Sequence, residues 1–524
     1  MPALTTAQIQ ALGSNQLRAL DTSQIVLLTT SQMTGLKVDQ LNALRTEQIA
    51  ALETREIVSL TDSQLTTLSS AQIQAMTTQQ FANLTTAQAA ALTIAQVAKI
   101  QTEDLRALTE AQVAALNFTQ IRTLSTEQFQ AFSTSQFAAI DPVNIGKLTY
   151  PQVASLSTQN VVALTTAQAA AFSGSQVPYL STAQLVALET ADVKSLPTGV
   201  ITALNADQIA ALTTAQVVAL GSNQVFVLSS AQVAMLESRD IVSLTTANIA
   251  ALRGVQTVGL TTDQIRALTT AQVEAMSSAA LSALGTGQLQ ALRTDQIVAL
   301  TTAQLADLDA DQVASLKTSQ VAALQSRDLG AIQSSVVSAM TTAQVNVLST
   351  QQVVGWTTAQ IRALTASQVA ALTTQALAQL TTEQAATLSS SQLNAWTAAQ
   401  FAAMTTAQAQ AIPVATLKNI ATATLAGLTT AQVQALTTAQ VQGLSFNQVA
   451  SLSTEQFSAL ELVDVASLTT QQSGAISTDE LTALSTAQVE VLTSGVVASL
   501  SSQQLRSLLT QQVVALTTQQ TSAL

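Results

Sequence analysis

Leu428-Thr429-Thr430-Ala431-Gln432-Val433-Gln434-Ala435 leads straight into Leu436, and the same eight-residue frame runs through the whole chain. Counted in steps of eight from Leu4 to Leu524, 66 positions hold Leu, Ile, Met, Phe or Trp and never a polar side chain. No insertion or deletion interrupts the count over 524 residues. A register kept so strictly is what a stack of structurally equivalent units requires.

One octad reads as a short helix and a corner. Ala, Gln and Leu, all good helix formers, fill its second half, and Ser or Thr fills its first half, where a hydroxyl caps free backbone N–H groups. Thr5-Thr6-Ala7-Gln8 fits a capping box with Thr5 as the cap and Gln8 reaching back, and a cap at Thr6 fits nearly as well. Acids in the third column after leucine (Asp39, Glu47, Glu103, Glu127, Asp207, Asp263) then lie in the first turn, where the helix dipole favours negative charge. Pro151 occupies the same column, a position that tolerates proline. Apolar anchors such as Val433 and Leu436 are three apart and share one helix face, and the strict alternation of a strand is absent.

A helix of about six residues is unstable alone, because nucleation costs more than so few hydrogen bonds return. The octads must therefore stack, and the predicted fold is all-α: a single solenoid over residues 1–524 with one helix per octad and no internal domain boundary. Seven of the ten Phe and both Trp residues (Trp356, Trp396) fall in the two anchor columns and read as core. All sixteen glycines avoid the leucine, glutamine and aliphatic columns. Five of them (Gly35, Gly259, Gly355, Gly427, Gly443) fall in the column just before the leucine column, where helices are expected to approach closely.

A longer period lies in the glutamine column, where 48 of 65 positions are Gln. Ten of the departures (Glu56, Asp104, Asn144, Asp192, Asp240, Ala280, Asp328, Ala376, Thr416, Asp464) follow one another at five or six octads, three steps making 136 residues. Leu52–Leu60, Leu188–Leu196 and Leu460–Leu468 carry similar wording, which duplication of a 136-residue block explains. Duplication leaves the spacing inside a block unexplained; a superhelix of about 5.7 octads per turn would align these positions along one side. The glutamines themselves read as a ladder of amides that satisfies helix-end backbone groups or the Gln of an adjacent turn. Arg55-Glu56, Arg239-Asp240 and Arg327-Asp328 read as charge balancing.

Composition excludes much chemistry. With no Cys and no His the chain lacks a thiolate, an imidazole base and the commonest ligands of zinc, copper and haem. No EF-hand, glycine-aspartate repeat or phosphate loop is present. Catalytic residues: none; cofactor: none; metal ligands: none are predicted, and the chain is read as no enzyme. A net charge of −12 with 9% charged residues argues against nucleic acid. Thr, Ser and Gln interrupt every apolar run well before the ~20 residues that span a bilayer, so no membrane insertion is expected. Met1-Pro2-Ala3 leads directly into the first repeat and leaves no room for a signal peptide, so the chain either stays inside, is exported without such a signal, or is a piece of a larger protein, which the repeat closing at Leu524 favours.

The Leu-Thr-Thr-Ala-Gln-Val-x-Ala-Leu wording resembles the octapeptide arrays of large proteobacterial proteins often labelled haem utilisation or adhesion proteins, and the resemblance covers essentially the whole chain. It implies an extended segment of a secreted or surface-attached protein. A haem role finds no support in the residues, since the axial ligand would have to be Met or Tyr; Met33, Met76, Met276, Met340 and Met404 lie in core columns, and Tyr150 and Tyr179 are isolated in sequence. The function expected is structural: a stiff stalk, spacer or fibre-forming element of a bacterial extracellular or cell-surface structure, self-associating end to end or side by side. The rival is a module that binds polysaccharide or ice through regular Thr or Gln faces.

Overall fold

The computed structural model describes residues 1–524 as sixty-four α-helices of four to six residues and one 3-10 helix, Val177–Tyr179, without a strand. The all-α reading with one helix per octad holds. Two compact units, Met1–Leu260 and Thr261–Leu524, are built on the same plan.

Each helix starts at the second threonine column and stops before the leucine. Thr430–Gln434 has Thr429 as its N-cap, in extended backbone conformation, with its hydroxyl accepting from the Gln432 N–H. The cap is thus the residue after leucine, the Thr5 alternative, because its extended ψ turns the chain while its side chain still reaches the third helical N–H. Leucine ends the helix: Leu436 N–H still bonds the Val433 carbonyl, and in the six-residue helices the leucine adopts ψ near 130–140°, as at Leu68 and Leu444. No residue has a positive φ, so the corner is made by extended backbone and needs no glycine.

Within each unit a helix packs on the third helix before it and the third after it. In the first unit Val38–Ala43 lies between Ser14–Ala19 and Asp62–Thr67; in the second, Thr382–Ala386 lies between Thr358–Ala363 and Thr406–Ala411. The aliphatic column points inward and is sealed, with Ile57, Leu65, Phe137, Val369 and Val433 all at 0% exposure. The leucine column closes the core beside it, together with Trp356 and Trp396. Each such side chain contributes about 1.5–3 kcal/mol of burial, which is how units that are unstable singly become stable stacked.

This packing corrects the expected 5.7 octads per turn. Side chains from one turn meet the next after 25 to 31 residues, as Gln130 on Ser155 and Gln48 on Leu17 show, so a turn takes between three and four octads. Steps of 40 and 48 residues therefore fall between one turn and two, and successive members of the acidic ladder sit on different sides. The physical reason is the size of the ring. At ~9 Å of helix plus a short corner per octad, three to four octads make a backbone ring roughly 13 Å across, which Leu, Ile and Val side chains fill; 5.7 octads would make one of ~22 Å, beyond their reach.

The five pre-leucine glycines lie where neighbouring turns come closest. A Cβ on Gly355 would stand 2.7 Å from the Ser326 carbonyl oxygen, one on Gly443 2.5 Å from the Val414 side chain, and one on Gly427 3.2 Å from the Ala398 Cα.

Candidate functional site

The repeated polar group of this molecule is the glutamine side chain, buried at the junction of two helix ends. In Gln48, 0% exposed, Oε1 accepts the Arg45 backbone N–H at 2.7 Å, while Nε2 donates to the carbonyls of Leu17 at 3.0 Å and Leu20 at 2.8 Å. In Gln432, Oε1 accepts from Thr429 N–H at 2.7 Å and Nε2 donates to Phe401 and Met404 carbonyls at 2.9 and 2.6 Å. One amide thus caps the N-terminus of its own helix and the C-terminus of the helix four before it. Unpaired N–H groups carry positive partial charge and unpaired carbonyls negative, so an amide oriented this way suits both ends. Of the two partners considered for the glutamine ladder, helix-end backbone is the one used.

Residues that replace glutamine in this column, ladder members and others, occupy the same slot with different results. Asn144 and Asn248 keep half of the clamp, their Nδ2 donating to Leu116 and Leu220 carbonyls at 2.8 and 3.0 Å. Glu56, Asp104, Asp192, Asp240, Asp328 and Asp464 are all buried carboxylates, 0–3% exposed, as is Glu480. The expected charge balancing is present: Arg55 Nε lies 2.6 Å from Glu56, Arg327 Nε 3.2 Å from Asp328 and Arg239 Nε 3.9 Å from Asp240. Hydroxyls one turn away serve Asp240 as well, and also Asp464: Thr214 donates to Asp240 at 2.7 Å and Thr438 to Asp464 at 2.9 Å. Asp104 and Asp192 have neither kind of partner, and burial, reinforced by the negative charges of Glu103 and Glu189, pushes each carboxyl up to about 6. Burial also raises Asp464 and Glu480.

Sequence reasoning missed a second set of clamps. Long donors in the cap column reach the same helix ends: Gln101 to the Gln74 carbonyl at 2.9 Å, Gln333 to Ala306 at 3.0 Å, Gln325 to Val298 at 3.3 Å and Arg45 to Leu20 at 3.0 Å. The signal was there: Gln101, Gln325 and Gln333 each stand three residues before a departure from Gln (Asp104, Asp328, Val336).

The remaining candidate residues sort by column. The five core-column methionines, both tryptophans and the seven anchor phenylalanines are buried, whereas Phe118, Phe226 and Phe446 are about half exposed. Tyr150 and Tyr179, distant in sequence, stack on the surface with ring centroids 4.2 Å apart and planes 8° from parallel. No helix is long and apolar enough to cross a membrane.

With this geometry the repeat's wording can be compared with known families. The family model of the ALTTAQ repeat matches eight segments, residues 1–38, 97–134, 185–222, 233–270, 259–294, 267–302, 292–326 and 321–358. The LTTAQ-like octapeptide wording is thereby matched in these segments, and the chain is a repeat protein. No curated protein matches it.

Proposed function

We propose that this array of ALTTAQ repeats is a structural element, a stiff stalk, spacer or fibre-forming segment of a bacterial extracellular or cell-surface structure, with no enzymatic role. In this reading residues 1–524 form one continuous solenoid that associates with its own kind end to end or side by side. The observation that carries the reading is the glutamine clamp. It ties each turn to the next through directional bonds placed off the solenoid axis, as Gln48 does to Leu17 and Leu20, so bending a turn strains hydrogen bonds as well as packing. Specific side chains are spent on holding the array together, and the buried Gln column leaves no Gln face for a polysaccharide or an ice surface.

At three to four octads per turn and 8–10 Å per turn, 65 octads predict a rod on the order of 170 Å long. Electron microscopy of the purified chain, with sedimentation to read its association state, tests the proposal. Straight rods of that length, or filaments made of them, are expected; rounded particles or freely jointed chains would overturn it.

A further inference from the structure

Seven buried carboxylates stand in slots built for an amide, and their partners are not alike. In each normal slot the carbonyl 28 residues earlier receives the Gln Nε2, as Leu20 does from Gln48. Opposite Asp104 and Asp192 the corresponding carbonyls, Met76 and Leu164, receive no donor, and one carboxylate oxygen of each acid (Oδ2) is buried without a hydrogen-bond partner. A buried acceptor left without a donor is an arrangement proteins avoid, since a stranded group costs its full desolvation, and by the register of the amide slots the carbonyl without a donor is the one nearest to each acid. The slots at Asn144 and Asn248 show that a side chain of this length spans the gap, because their Nδ2 atoms reach the equivalent carbonyls at 2.8 and 3.0 Å. A neutral aspartic acid has the same skeleton as asparagine and, like it, one donor to offer.

We propose that Asp104 and Asp192 bind a proton in the folded chain and, as neutral acids, donate their O–H to the carbonyls of Met76 and Leu164, forming a proton-operated version of the glutamine clamp. The surroundings supply no competing cation. Asp104 belongs to Thr102–Ala107, which packs on Thr78–Asn83, a helix without charge, and on Thr126–Gln130, whose one charge is the exposed Glu127. Its own helix carries Glu103 and the exposed Arg106, and no basic group lies within ion-pair distance of Asp104. Asp192 belongs to Thr190–Ser195, between Thr166–Ala170 and Thr214–Ala219, both uncharged; its own segment carries Glu189 and Lys194, the latter not paired with it. Glu56 and Asp328 also keep one buried oxygen without a partner, but an arginine contacts the other oxygen, and that ion pair favours the charged form.

The upward shift of both carboxyls to about 6, caused first by burial, agrees with this assignment. Its sign is opposite to that of an ordinary paired carboxylate. With the folded value near 6 and the unfolded one near the ordinary 3.8, the folded chain binds more protons between these limits, so the contribution to stability is complete below the lower value and is lost as pH rises through the upper one. Acidification from about pH 7.5 to 5 therefore tightens these two junctions.

The absence of histidine simplifies the test, and the amino terminus and the upward-shifted Asp464 and Glu480 are common to both proteins compared and cancel in the difference. Potentiometric titration of the folded full-length protein is compared with that of D104N/D192N, in which asparagine supplies the neutral donor permanently. The wild type is expected to take up two more protons than the variant, centred near pH 6, and its thermal midpoint is expected to rise relative to the variant's between about pH 7.5 and 5. A two-proton difference centred near pH 4, or midpoints that run parallel, would overturn the proposal. Should the double variant fail to fold, D104N and D192N singly carry the same test with one proton each.

Discussion

A glutamine of the buried column, such as Gln432, satisfies three backbone groups belonging to two helices, and the energetic consequence is local and measurable. Replacing Gln432 by alanine strands the Thr429 N–H and the Met404 carbonyl in a site with 1% exposure, at a cost of about 2–4 kcal/mol in urea unfolding. Gln130→Ala removes one bond, to the Ser155 carbonyl, from an exposed side chain and is expected to cost about 1 kcal/mol or less. Equal losses at both sites would refute the division of labour between the buried and exposed glutamines. Half of this arrangement was legible in the residues alone, because Thr-x-x-Gln is a local pattern whose two partners lie three residues apart. The other half was not, since the carbonyls that Nε2 meets are 28 and 31 residues away and nothing in the octad marks them. The partners of the departures were legible in part. Arg55, Arg239 and Arg327 stand beside their acids in sequence, but Thr214 and Thr438 reach Asp240 and Asp464 across a turn.

At the scale of the element, helices of four to six residues have little stability of their own and take their form from caps and from contact with the third neighbour on each side. The pre-leucine column measures that contact. Glycine to alanine inside a helix ordinarily gains about 1 kcal/mol of propensity. That gain is expected at Gly199, around which a Cβ would meet nothing within 4 Å. Gly355→Ala is expected to reverse the sign and cost about 1–3 kcal/mol, because the new methyl would stand 2.7 Å from the backbone oxygen of Ser326. Thermal unfolding of the two variants checks the pair, and a stabilising Gly355→Ala would show that the turns are farther apart than described. The close approach was readable from composition, since glycine recurs in a column otherwise mostly alanine. Helix existence and phase were readable for the same reason as the core, namely that apolar, capping and amide residues each keep to one column. The choice of cap was not decided by residue type, as Thr5 and Thr6 are chemically the same; only the extended backbone at the first of them separates the two.

For the molecule as a whole, the number of octads per turn was the feature that sequence left open and that ladder counting placed too high. Spacing among Glu56, Asp104 and Asn144 records where glutamine has been exchanged, and such exchanges follow the history of a 136-residue block as readily as they follow a side of the superhelix. Turn size is set instead by how large a ring two apolar columns can fill. The resulting neighbours are specific: residues 29 apart in the second threonine and pre-leucine columns meet, as the stacked Tyr150 and Tyr179 do at 4.2 Å. In a chain with no native cysteine, a pair of introduced thiols reports that neighbourhood without interference. Under mild oxidation Y150C/Y179C is expected to form an intramolecular disulfide nearly quantitatively, whereas Y150C/S195C, 45 residues apart in the same two columns, is expected to remain reduced. Cross-linking of the second pair in preference to the first would contradict a solenoid of three to four octads per turn and, with it, the glutamine clamp.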